Sequence, residues 1–205
     1  MAAPRAGDAA GRAGPTGLGG HRDKYALVER ERRFLLRARP DVPALAVRSL
    51  AVRSIVDRYL DGTRLRLRRV TGPATGQVEW KLTQKVPFGR PGPARGLITN
   101  TYLDEAEYGL LATLPAAVVT KTRHRIPPFV VDVFDPPRHG LVIAEVEFTT
   151  DAAAAEFAAP GYAVAEVTDD PRLTGGHLAR ASRPDLARWL ADYGLRLPER
   201  ASSPA

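Results

Sequence analysis

The chain has 205 residues, no cysteine, 44% apolar residues and a formal charge of +7. That length allows one ordinary domain with a real core, and the absence of cysteine excludes a disulfide framework and a thiolate metal site. The positive charge calls for an anionic partner. Nucleic acid is poorly supported in that role, because no helix-turn-helix, zinc finger, aromatic RNA-binding motif or lysine-rich tail is present. No apolar run reaches membrane-spanning length.

Residues 1–23 are rich in Ala, Gly, Pro and Arg and read as a disordered tail. They lack the apolar centre of a signal peptide, so the expectation is a cytoplasmic protein. Residues 24–198 read as one domain and 199–205 as a second tail. Strand-like runs cover 25–36, 54–60, 64–70, 77–85, 97–103, 119–126, 129–134 and 141–148. Turn chemistry separates them at Asp61-Gly62, at Thr71-Gly72-Pro73, through 89–96, at Pro127-Pro128 and through 136–140. Three helices are expected: 105–114 capped by Asp104, 151–158 capped by Thr150, and one opened by Ser182 and Pro184 that ends at Gly194. Many successive antiparallel strands with few helices predict a mainly β, α+β fold closed into a barrel.

Charge recurs at every second residue along these runs. The pairs Glu29/Glu31 and Glu145/Glu147 stand at the two ends, with Arg64/Arg66/Arg68, Lys81/Lys85 and Lys121/Arg123/Arg125 between them. Alternate side chains of a strand share one face. One reading is a sheet with a solvated face and a core face. A second is an inside-out barrel with a charged lumen and helices packed outside. Two features favour the second. The rows are nearly single-sign within a strand, whereas solvated faces mix their signs. Like charges at alternate positions on adjacent strands also repel unless a counter-ion sits among them.

The run Glu29-Arg30-Glu31-Arg32-Arg33-Phe34-Leu35 resembles the opening signature of the CYTH domains, the triphosphate tunnel metalloenzymes. In order, Tyr59-Leu60, Arg66-x-Arg68, Lys81, Lys121-x-Arg123, Val131-Asp132-Val133-Phe134, Ala144-Glu145-Val146-Glu147 and Glu166-Val167-Thr168 are similar to later family segments. The resemblance spans about residues 25–180 and implies a closed eight-stranded antiparallel tunnel that binds a triphosphate with a divalent metal. It implies that Glu29, Glu31, Glu145 and Glu147 hold Mg2+ or Mn2+, with Asp132 linked to the metal. Arg66, Arg68, Lys81, Lys121 and Arg123 would grip phosphate, with Lys85 extending that row. Arginine forks and lysine point charges suit phosphate, and carboxylates suit hard cations.

Arg33 stands where the family usually has a lysine assigned to the attacking water. Arginine stays protonated and cannot act as a base, which leaves activation to Tyr59, a metal-held water or a glutamate, with Arg33 holding phosphate. Tyr59 and Arg33 are the candidate catalytic residues. Thr101 and Leu103 fall where several relatives carry a second glutamate pair. The four histidines are scattered without ligand spacing. No aromatic clamp for a base is evident, which favours inorganic triphosphate hydrolysed to pyrophosphate and phosphate. The alternatives are an adenylyl cyclase of the same fold and a non-catalytic polyphosphate-binding module. The oligomeric expectation is a monomer or homodimer.

Overall fold

A computed structural model describes residues 25–40, 52–89, 91–92 and 94–198. The tails expected at 1–23 and 199–205, and His21, lie outside the described residues. In chain order the elements are β1 (Leu27–Leu36), β2 (Val52–Leu60), β3 (Leu65–Thr71), β4 (Val78–Pro87), β5 (Ala94–Leu103), α1 (Glu105–Leu111), β6 (Ala116–Ile126), β7 (Phe129–Phe134), β8 (Val142–Glu147), α2 (Asp151–Glu156) and β9 (Ala163–Glu166). A 3₁₀ turn (Pro171–Leu173) then leads to α3 (Gly175–Arg180) and α4 (Arg183–Ala191). The three expected caps form. Asp104 and Ser182 make reciprocal capping boxes with Glu107 and Asp185, and the Thr150 hydroxyl accepts from the Ala153 N–H.

All eight predicted strands pair antiparallel in the order β5-β4-β3-β2-β6-β7-β8-β1, and a β1–β5 pairing closes the ring. The fold is therefore a closed eight-stranded barrel, mainly β, with one additional strand. On one edge, the first half of β1 pairs with β5 through Leu27↔Ile98. The second half of the same edge pairs with β9 through Phe34↔Glu166. A register shift between Glu29 and Arg30 falls within the β5 pairing, a bulge that bends β1 just before it leaves that neighbour.

Strand parity sorts the side chains. The outer face of β1, β7 and β8 presents Phe34, Leu36, Val131, Val142, Ala144 and Val146, which pack against Phe148, Phe157 and Ala163 around α2. The inner face is charged along the middle and apolar at one end. There Leu35, Val119, Phe134 and Ile143 meet Val167, Leu173, Leu178, Leu186 and Leu190. The first four lie on the parity of Arg33, Lys121, Asp132 and Glu145, so α3 and α4 plug that end of the lumen rather than merely covering an outer wall. Leu35, Leu186 and Leu190 are almost completely buried, and each such leucine contributes about 1.5–3 kcal/mol.

The opposite end has no such cover among the described residues. Glu147, Arg125, Leu27 and Tyr102 are exposed there. Arg64 is exposed as well, but at the plugged end, two residues beyond Arg66, which pairs with Tyr59.

Candidate active site in the tunnel

The ladder places the predicted site residues on one inner surface. Adjacent strands set Arg33 opposite Glu145 and Glu31 opposite Glu147. Arg123 stands opposite Asp132, Tyr59 opposite Arg66 and Asp57 opposite Arg68, and Arg68 opposite Lys81. Directly paired residues of an antiparallel ladder share a face. Glu29, Glu31, Glu145, Glu147, Arg66, Arg68, Lys81, Lys85, Lys121, Arg123, Asp132, Tyr59 and Arg33 therefore all face the lumen.

The acids and bases of this surface are paired with one another. Glu29 accepts from Lys85 at 2.5 Å. Asp132, fully buried, accepts from Lys121 at 2.5 Å and twice from Arg123 at 2.6 and 2.7 Å. The same Arg123 reaches Glu145 at 2.7 Å. Burial alone would push the Asp132 carboxyl up; Lys121 and Arg123 outweigh it and hold the group well below the usual carboxylate range. With its lone pairs occupied by three N–H donors, Asp132 reads as the group that fixes Lys121 and Arg123 in place.

Glu31 is held more loosely. Its nearest cation is the Arg33 Nε at 3.6 Å, beyond hydrogen-bonding range. Burial, together with the neighbouring Glu145 and Glu29 carboxylates, pushes its carboxyl up to about 7. Four lumenal glutamates stand on the adjacent strands β1 and β8, and carboxylate oxygens are the donors that hard divalent cations take. Among the described residues no three carboxylate or imidazole groups stand close enough to enclose an ion as they are placed, so ligation would require rotamer changes.

The basic side is also built. Arg68 grips Asp57 through two parallel bonds of 2.6 and 2.7 Å. Asp57 was not singled out from sequence; its place two residues before Tyr59 on a strand was the available signal. Burial pushes the Asp57 carboxyl up, but Arg68 and Arg66 hold it well below the usual range. Arg66 donates one bond to Thr83, which in turn donates to Asn100. The Arg66 Nε is buried with no hydrogen-bond partner, a cost that an incoming anion would repay. Burial, then Arg68, Arg66 and Arg123, lowers the pKa of Lys81.

Arg33 and Tyr59 sit at the plugged end. The Arg33 guanidinium donates to the carbonyls of Leu173 at 2.9 Å and Thr168 at 3.0 Å, and more weakly to Val167 at 3.4 Å. Its backbone N–H donates to the Thr168 hydroxyl. Tyr59 lies against α3, where a Cβ on Gly175 would fall 1.8 Å from its hydroxyl, so only glycine fits. Burial, then the Asp57 charge, pushes the phenol up to about 12.

One register expectation is corrected. Thr101 and Leu103 turn outward, and the inner positions of β5 are Ile98, Asn100 and Tyr102, opposite Lys85, Thr83 and Lys81. A slip of one residue exchanges the faces of a strand, and the Thr-Asn-Thr run of β5 carries no apolar alternation to reveal its parity.

No protein-family model and no curated protein match the chain. Solved structures do. Two crystal structures of the protein NE1496, one described as a hypothetical protein and the other as an inorganic triphosphatase, are 28% and 25% identical to this chain. Their TM-scores are 0.49 and 0.50, and the matches cover 75% and 76% of this chain and 98% and 97% of NE1496. PH1819 from Pyrococcus horikoshii OT3 is 16% identical with a TM-score of 0.41, over 85% of this chain and 94% of that one. No helix among the described residues is long and apolar enough to cross a membrane.

Proposed function

We propose that this chain, which has the CYTH-type tunnel fold, hydrolyses the terminal phosphoanhydride of a triphosphate in a reaction that needs Mg2+ or Mn2+, with inorganic triphosphate as its substrate. The observation that carries this reading is the sorting of charge inside the barrel. Arg66, Arg68, Lys81, Lys85, Lys121 and Arg123 face four glutamates across one lumen. The similarity to NE1496, described as an inorganic triphosphatase, supports the choice of substrate.

In this reading the triphosphate exchanges partners with the lumen's own ion pairs. Lys85 leaves Glu29 for phosphate, and the Arg66 Nε, 3.7 Å from Asp57 with no hydrogen bond of its own, takes a phosphate oxygen. Glu29, Glu31, Glu145 and Glu147 would hold the divalent ion, whose charge would offset the neighbouring carboxylates that add to burial in raising Glu31. When bound, such an ion neutralises phosphate charge and polarises the attacking water. A water oxygen bonds to the terminal phosphorus while the bond from that phosphorus to the bridging oxygen breaks, giving phosphate and pyrophosphate.

Arginines fixed by Asp57 and Asp132 need no reorganisation as charge builds on the phosphoryl oxygens, which is where such sites gain most of their rate. Arg33 acts as a positioning residue, tying the inner end of β1 and the neighbouring Glu31 to the plug. Tyr59 closes the inner wall beside Arg66 and is proposed to orient that guanidinium.

The test is phosphate release from inorganic triphosphate with Mg2+ or Mn2+, each against EDTA. Metal-dependent release that disappears in Glu29→Ala and Glu147→Ala proteins with unchanged folding is expected. Full activity in either variant, or in EDTA, refutes the reading.

A further inference from the structure

One basic residue of the inner wall stands outside the ion pairs of the tunnel. Arg53 lies on β2 directly opposite Arg123 of β6, so the two guanidiniums share the lumenal face. The same inner row of β2 runs on through Ile55, Asp57 and Tyr59. Four residues, about 13 Å along the strand, separate Arg53 from Asp57 on the side of the open mouth. The row does not announce itself in the sequence, because Ile55 interrupts its charge.

The Arg53 guanidinium lies over the inner row of β3 rather than out in solvent. Arg53 is half-buried, and a Cβ on Gly72 would fall 2.7 Å from its Nη1. Gly72 is itself buried and continues the inner row of β3 past Arg68 and Val70. Its missing side chain leaves the floor across which the guanidinium extends.

Each cation already assigned to phosphate has a carboxylate within 3.8 Å. Arg66 and Arg68 have Asp57, Lys81 has Glu79, Lys85 has Glu29, and Lys121 and Arg123 have Asp132. Among the described residues no carboxylate pairs with Arg53. Like charges on directly opposed residues repel, and the acids nearest Arg123 are already bonded to it. An anion placed between Arg53 and Arg123 removes that repulsion, and a guanidinium fork takes phosphate oxygens two at a time.

We infer that Arg53 is a further substrate-binding residue, which with Arg123 holds the phosphate lying nearest the mouth of the tunnel. This rests on the triphosphate reading of the site and adds a residue of β2 to it. Arg53 acts on capture and retention of the anion: it is a rim charge, and rim charges govern association and its dependence on salt. The groups deeper in the lumen, around Arg66 and Arg68, carry the reacting end.

The experiment measures binding and hydrolysis of inorganic triphosphate with Mg2+ at low and high NaCl for wild type, Arg53→Ala, Arg53→Lys, Arg66→Ala and Arg69→Ala. Arg69 is an exposed arginine of β3 on the opposite, outer parity, and its variant should match wild type. Arg53→Ala should weaken binding by about tenfold to a hundredfold, the worth of a hydrogen-bonded charge. KM should rise with kcat within about twofold, as for a contact made equally before and during reaction. The variant should also lose less affinity than wild type as salt is raised, because one screened attraction is gone. Arg53→Lys should recover part of the affinity and the salt dependence, and every Arg53 variant should melt with wild type. Binding by Arg53→Ala within about twofold of wild type, while Arg66→Ala loses it, would overturn the inference and leave the tunnel reading standing. Weaker binding with an unchanged salt dependence, equal in Arg53→Ala and Arg53→Lys, would also overturn it by making Arg53 a packing residue. Failure of wild type to bind inorganic triphosphate would overturn both.

Discussion

The guanidinium of Arg33 donates to the carbonyl oxygen of Leu173 at 2.9 Å, joining the inner end of β1 to the segment that enters the plug. A buried arginine on backbone carbonyls is a structural tie, and its loss strands acceptors that no water replaces. Arg33→Met should lower unfolding free energy by about 2–4 kcal/mol in urea titrations, with Arg33→Lys recovering part of it. A change under about 0.5 kcal/mol for Arg33→Met would remove the anchor from the argument.

Arg66 faces the lumen with its Nε making no hydrogen bond and lying 3.7 Å from Asp57, and unlike Arg33 its guanidinium is not tied to backbone carbonyls. Arg66→Ala should reduce kcat by about a hundredfold or more while the protein melts within a few degrees of wild type. Retention of more than half the activity would exclude Arg66 from the reacting phosphates.

Asp57 makes the barrel sensitive to acid. Its folded carboxyl titrates below the ordinary value of 3.8 because Arg68 and Arg66 outweigh its burial. A depressed acid supports folding above its unfolded value and loses that support as pH falls through and below it. Asp57→Asn should therefore cost about 3–5 kcal/mol at pH 7, where Arg68 loses its partner. The gap to wild type should narrow below about pH 4. A gap that stays constant from pH 7 to pH 3 would contradict the pairing.

Glu31 has the opposite sign. Its carboxyl rises from 4.5 to about 7 through burial, then Glu145 and Glu29. A raised acid favours folding fully below its unfolded value and loses that contribution as pH rises through the folded one. Glu31→Gln should stabilise the protein in EDTA at pH 8 by about 2 kcal/mol and have little effect at pH 4. Mg2+ or Mn2+ should raise the Tm of wild type at pH 8 and that of Glu31→Gln much less. Equal metal stabilisation of both proteins would take Glu31 out of the metal set.

Much of the barrel was legible because its strands alternate sharply. Arg66-Leu67-Arg68 and Glu145-Val146-Glu147 declare their faces, and Asp104, Thr150 and Ser182 declare helix starts. The plug was not legible in the same way. β9 has only four residues, too few for a period to register, and α3 opens on Gly175-Gly176, which reads as a loop. Nor does sequence reveal that Arg33 ends on carbonyls, since its partners lie 134 to 140 residues away and contribute backbone rather than side chains. The inward parity of Asn100 and Tyr102 was hidden by the polar run in which they stand.

Filling one end of the barrel with Leu173, Leu178, Leu186 and Leu190 turns the passage into a cul-de-sac. Traffic is then last in, first out: whatever lodges deepest departs only after its neighbour nearer the doorway has gone. A long chain of phosphates cannot be threaded from one side to the other. On the proposed function it would be taken only from an end, and only as far as the blind wall allows.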